Sequence, residues 1–168
     1  RPSRRSASRS TATLTRLRAL HAKHYSVHSA NTRPLPGARE LLKYLTDTKI
    51  PWAIATSGRM LTAGPVLKIL GVDPDRVPVI TRDLVAYAKP DPDLFLAAAE
   101  KLGIEIDTAC VVGDSIWDML AAQRARALGI GFLSGGYGTD ELERSGAYRV
   151  FEDPADMLAH IDEVGGRR

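Results

Sequence analysis

A single cysteine, Cys110, excludes an intramolecular disulfide and any multi-cysteine metal site, so the thiol count gives no argument for an oxidising compartment. A cytoplasmic protein is the expectation. Long apolar runs are missing as well: the longest, such as the one ending at Val112, fall far short of the ~20 residues that span a bilayer. No membrane partner is expected. Aromatic residues make up only 6% of a chain that is 44% hydrophobic, so aliphatic side chains and alanine carry the apolar mass. That balance suits helices packed on a buried sheet better than a sandwich of amphipathic strands. At 168 residues the chain is long enough for one buried core, and the class expected is α/β.

Acidic residues are absent from the first part of the chain. Residues 1–39 hold eight Arg and one Lys without any Asp or Glu, which leaves 14 basic against 20 acidic residues in the remainder. The net charge of +3 therefore hides a basic leader on an acidic body. In composition RPSRRSASRSTATLTRLR resembles a transit peptide or a nucleic-acid-binding arm. Because the chain opens at Arg1 and not at a methionine, a truncated chain, a misread gene start or a fragment is the reading taken, and nucleic acid is not an expected partner. Residues 1–13 read as a disordered tail, since Ser, Arg and Thr offer no apolar periodicity to offset the entropy of ordering. Leu14, Leu17 and Leu20 then predict a helix to about Tyr25.

Pro34 to Gly37 punctuates the chain, after which Ala38, Leu41, Leu42 and Leu45 recur at helical spacing. Beyond Pro51 the pattern changes to short apolar runs, each followed by a turn and an amphipathic stretch. The runs cover 52–56, 77–81, 109–114, 130–134 and 148–152, with helices expected at about 60–70, 92–102, 115–127, 139–145 and 154–163. This alternation predicts a Rossmann-like parallel sheet with flanking helices. Asp91 is expected to cap the second of these helices, with Pro92 at its first position. In open parallel sheets ligands bind beyond the carboxyl ends of the strands, which directs attention to Thr56–Arg59, Ala88–Asp91 and Gly113–Asp118.

Three constellations stand there. VVGDSIWD places Asp114 at a strand end and Asp118 four residues on, so that both carboxylates face one pocket and offer oxygen ligands of the kind Mg2+ takes. The competing structural reading makes Asp114 the helix cap and Asp118 a favourable charge at the positive helix end. Thr56, Ser57 and Gly58 supply hydroxyls and backbone N–H groups before a helix, a fit for a phosphate oxygen or simply an N-cap. Lys89, just before another helix, is placed to offset the charge of a phosphoryl group or is a solvated lysine.

Hydroxyl, lysine and paired aspartates occur in that order, each at the end of a successive predicted strand. In this the chain resembles the haloacid dehalogenase superfamily, in its phosphoglycolate phosphatase-like branch, from about Leu14 to Val164. IATSG is similar to the second motif of that family, AKPDPDLF to the third and GDSIWDM to the fourth. The resemblance implies that Thr56 binds phosphate with Ser57 and Gly58 beside it, that Lys89 holds nucleophile and phosphoryl group, and that Asp114 and Asp118 ligate or support Mg2+. It also implies hydrolysis of small phosphate monoesters. Residues 14–33 would be a remnant of a helical cap and its linker, and residues 34–164 the hydrolase core.

The departure lies upstream. Family members open with a strand carrying a DxD motif whose first aspartate is the nucleophile, whereas here the first acidic residue is Glu40 and the first aspartate Asp47. Asp91 and Asp93 have the DxD interval but follow Lys89 and open a helix, so they are rejected. In the family the missing strand is central, between those ending at Thr56 and Asp114, and its absence leaves both neighbours with unpaired edges. The isolated chain is therefore expected to be poorly stable or inactive, with more residues encoded upstream. A non-catalytic binding or interaction domain is the alternative, and a dehalogenase or phosphomutase variant stays open. Sequence leaves the oligomeric state open.

Four features are set aside. Cys110 reads as a small buried hydrophobe, Trp117 as a packing residue, and His21, His24 and His28 as polar surface of a helix. The GGYG segment, Gly135 to Gly138, reads as a turn.

Overall fold

The computed structural model describes residues 13, 15–17, 19, 20, 24 and 31–166. Half of the predicted helix over 14–25 falls outside them, and the described residues there, Thr15–Leu17, Ala19, Leu20 and His24, are helical, as is Thr13. His21 and His28 also lie outside the described residues.

From Ala38 onward the elements alternate as the apolar runs predict. They are α1 Ala38–Asp47, β1 Ile54–Ala55, α2 Met60–Leu70, β2 Val79–Ile80, α3 Asp93–Leu102, β3 Cys110–Gly113, α4 Ile116–Ala125, β4 Leu128–Phe132, α5 Thr139–Arg144, β5 Ala147–Phe151 and α6 Pro154–Ala159. Every strand pairing is parallel, and the connections between paired strands carry helices. The strands do not form one sheet. β1 pairs with β2, while β3, β4 and β5 form a separate ladder in that order. The division falls between β1 and β3, where a missing central strand was expected, and leaves one edge of each without a ladder partner among the described residues.

Apolar packing joins what backbone hydrogen bonds do not. Leu41 of α1 is buried with Ile130, Phe132, Phe151, Met157 and Ile161 on the three-stranded ladder. Its neighbour Leu42 packs instead with Leu67, Val72 and Val79, beside the two-stranded one. A third cluster places Phe95 of α3 with Val111 of β3 and Ala121 and Ala122 of α4, against Ala55 of β1. Thus α1 and α3 straddle the divide, and the apolar area they remove from water holds the two ladders in one body.

Three expectations need correction. The helix expected from Pro92 begins at Asp93, and its N-cap, Pro92, makes no side-chain capping bond. Asp91 pairs with Arg124 at 3.8 Å instead of capping, and the Asp93 carboxylate accepts a hydrogen bond from the Tyr87 N–H at 3.0 Å. β3 is not buried on both faces: Val111 is buried, but Val112 is 39% exposed and Cys110 is exposed. Alternation of that kind belongs to a strand covered on one side only. Trp117 is 47% exposed and does not pack in the core.

Three outcomes follow for the purified chain. Phe95→Ala, which empties the cluster linking both ladders, is expected to cost about 3–5 kcal/mol in urea unfolding. Leu61→Ala, at a position 83% exposed, should stay within about 0.5 kcal/mol. Although Cys110 is exposed as a residue, desolvation of its sulfur raises the thiol above its usual range. Alkylation of the folded chain should therefore go to completion, yet more slowly than that of a small free thiol at the same pH. Protection until unfolding would contradict the exposed placement.

Candidate active site

Thr56 follows β1 directly, and its N–H donates to the Ile80 carbonyl at 2.9 Å, which continues the β1–β2 pairing by one residue. Its hydroxyl oxygen accepts from the Gly58 N–H at 3.0 Å and so bends the chain over the strand end. The Gly58 carbonyl in turn accepts from the Arg82 N–H at 3.1 Å, which fastens this turn to the segment after β2. Ser57 is exposed at its tip. Accepting a bond leaves the Thr56 hydroxyl its own proton to donate.

Lys89 is not the solvated lysine that its sequence context allows. Its side chain is 17% exposed, and Nζ contacts Asp118 Oδ1 at 2.5 Å and donates to the Ala55 carbonyl at 3.3 Å. The ammonium also lies 5.2 Å from the centre of the Phe95 ring, within cation–π range. Arg124 of α4 fixes the following backbone by donating to the Pro90 carbonyl at 3.0 Å. Ala55 ends β1 and Asp118 lies in the first turn after β3, so one ammonium group draws the carboxyl ends of the two separate ladders together. An ammonium has three protons; with two so engaged, one is left for a further acceptor.

The two aspartates have different surroundings. Asp118 is buried, and its Oδ2 accepts from the Ser115 N–H at 3.1 Å and from the Ser115 hydroxyl at 2.6 Å. The Ser115 hydroxyl oxygen accepts from the Asp118 N–H at 3.3 Å, closing a reciprocal cap on α4. Ser115, and not Asp114, is therefore the N-cap. Asp114 is exposed, and no described residue hydrogen-bonds or pairs with its carboxylate. Gly113 makes room for this arrangement: a Cβ there would lie 2.4 Å from the Asp118 Cβ and 2.5 Å from its Cγ.

Thr56, Lys89 and Asp118 are thus linked through Ala55, while Asp114 stands between Gly113 and the Ser115 cap at the same strand end. The spacing S-x-x-D at 115–118 was a readable sign of the cap. Nothing local pointed to Ala55, Phe95 or Arg124, which meet Lys89 or its loop only through the fold.

Among the described residues no group of three or more His, Cys, Asp or Glu side chains gathers to hold a metal. The donors present nonetheless fit Mg2+ in the way that ion is ordinarily held, by one or two carboxylates with phosphate and water oxygens completing the shell. Asp114 has no partner among the described residues, whereas the Asp118 oxygens are engaged by Lys89 and Ser115. No described helix is long and apolar enough to cross a membrane.

Comparison with known proteins gives the family and the fold. A phosphoglycolate phosphatase of Rhodospirillum rubrum is 33% identical over 147 residues, which is 88% of this chain and 61% of that protein. The crystal structure of a hydrolase from Pseudomonas syringae superposes with a TM-score of 0.88 at 53% identity, covering 90% of this chain and 72% of that one. A haloacid dehalogenase family hydrolase from Deinococcus radiodurans, crystallised with bound phosphate and sodium, gives 0.71 at 30% identity over 78% of this chain and 60% of its own. The chain spans about half the length of the curated relatives it matches. The model of the haloacid dehalogenase-like hydrolases matches residues 5–126, and to that family this chain belongs.

Proposed function

We propose that this chain carries the phosphate- and metal-binding part of a Mg2+-dependent hydrolase of small phosphate monoesters, of the phosphoglycolate phosphatase type. The observation that carries the reading is the position of Lys89 Nζ, between the Ala55 carbonyl at the end of β1 and the Asp118 carboxylate at the start of α4. The Thr56 hydroxyl, Ser57 and the Gly58 turn would hold phosphoryl oxygens, with Lys89 offsetting their charge through its remaining proton. Asp114 would hold Mg2+, and Asp118 would support it from the capped first turn of α4 while keeping Lys89 in place. Bound Mg2+ supplies Lewis-acid polarisation of a phosphoryl oxygen. Residues 14–33 belong in this reading to a cap and linker, residues 34–164 to the core, and a cytoplasmic location goes with it.

The reading separates binding from turnover. By resemblance to the family the nucleophile is an aspartate on a strand preceding the Thr56 turn, whereas the acids before that turn, Glu40 and Asp47, lie in helix α1. The 168-residue polypeptide by itself is therefore proposed to bind phosphate without hydrolysing esters.

Titration of the labelled chain with inorganic phosphate and Mg2+, followed by amide NMR, tests the binding half. Shifts are expected at Thr56, Gly58, Lys89 and Asp114, while Thr56→Val and Asp114→Asn each weaken binding about tenfold, as loss of one bond to a charged group implies. Neither variant strips a buried charge of its partner, so the fold should persist. No phosphate should be released from phosphoglycolate or a chromogenic monoester. Shifts confined to other residues, or unchanged affinity in both variants, would remove the proposal.

A further inference from the structure

The GGYG segment, which reads locally as a turn, has its first glycine against the candidate site. Leu133–Gly135 is a 3-10 turn that follows β4 directly. A Cβ on Gly135 would lie 1.8 Å from the Asp114 carbonyl oxygen, 2.7 Å from its carbonyl carbon and 3.0 Å from its Cβ. The first two separations are shorter than non-bonded atoms adopt, so backbone lies on backbone here with no room for a side chain. Gly135 does not have a positive φ, in contrast to Gly136 at +81°. The requirement at 135 is closeness of approach, and at 136 it is conformation.

We infer that Gly135 is a positioning residue: the turn after β4 is a stop against which the Asp114 backbone rests, setting where its free carboxylate stands. The inference rests on the reading of Asp114 as the open oxygen donor of the site. Three neighbours already fix Asp118, namely Ser115, Lys89 and the space left by Gly113. Among the described residues Asp114 has no partner for its carboxylate, so what the described structure offers to place it is its backbone. On one side that backbone continues β3 and on the other it enters the Ser115 cap. Gly135 closes the third side.

The turn has somewhere to go if it is pushed. Leu133 and Ser134 line an open cavity of about 420 Å³, together with Leu35, Pro36, Glu152 and Asp153. A methyl group at 135 would therefore be relieved by displacement of the turn or of Asp114, and need not unfold the chain. Gly138 offers a control in the same segment, because a Cβ there would meet only Glu141 Oε2 at an ordinary 3.6 Å.

The test compares the full 168-residue chain with its Gly135→Ala and Gly138→Ala variants by thermal melting, amide NMR and titration with Mg2+ alone. In Gly135→Ala the Asp114 and Ser115 amide resonances should move, and Mg2+ affinity read at those amides should fall about 10- to 100-fold, the usual effect of disturbing what orients a ligand. Gly138→Ala should match the parent in both. Should Gly135→Ala not fold, Leu133→Ala is added to let the turn retreat into the cavity, and the same readouts apply to the double variant. If the parent itself shows no Mg2+ response, the metal reading of Asp114 fails, and the amide shifts still decide whether Gly135 places that residue. Unmoved Asp114 and Ser115 resonances in a folded alanine variant overturn the inference.

Discussion

One ammonium group joins the end of one ladder to the helix that follows the first strand of the other. β1 and β3 share no backbone pairing among the described residues, and the Lys89 side chain crosses from the Ala55 carbonyl to the Asp118 carboxylate where a ladder would otherwise run. The pair is well enclosed, with side-chain exposures of 17% and 8%, so its members attract strongly but have given up much hydration. The Ser115 hydroxyl and N–H satisfy the other Asp118 oxygen, and the Phe95 ring lies under the cation. A pair so completed is tolerable in a protein interior; removing either partner would strand a buried charge. Beneath it, the packing of Phe95 on Val111 and Ala55 and the split allegiance of Leu41 and Leu42 do the apolar share of joining the halves.

Because the same lysine is the cation at the candidate site, assembly and chemistry are coupled. An anion that accepts a hydrogen bond from the remaining Lys89 N–H would lie at the seam between the ladders. The division of labour between the two aspartates follows from burial. Asp118, buried and capped, serves α4 and Lys89, whereas Asp114, exposed and unpaired with any described residue, keeps its oxygens available. Four residues of separation brought both to one helix start, and the Ser115 cap decided which of them remained free.

Much of this was legible beforehand. Runs around Ile54, Val79, Val111, Ile130 and Val150 match the five strands of the described residues, because each is a short, mainly apolar stretch and the punctuation between them is strong. The order Thr56, Lys89, Asp114, Asp118 led to the family, and the absence of acid before Glu40 led to the open seam. What failed were judgements that depend on distant neighbours. Asp91 has the residue type and place of a cap but pairs with Arg124; Cys110 reads as a small buried hydrophobe in an apolar run, yet it is exposed. Gly135 looked like any turn glycine, since the backbone it touches is 21 positions earlier and no local pattern records such a contact.

The central claim is spatial: a hydroxyl, an ammonium and a carboxylate gather around one anion at the seam. Crystals of the chain soaked in tungstate, an anomalous scatterer of phosphate-like charge and shape, test it most directly. The account expects the anomalous peak within hydrogen-bonding reach of both Thr56 Oγ1 and Lys89 Nζ. A peak only at other basic residues, such as Arg149 on β5, would contradict it.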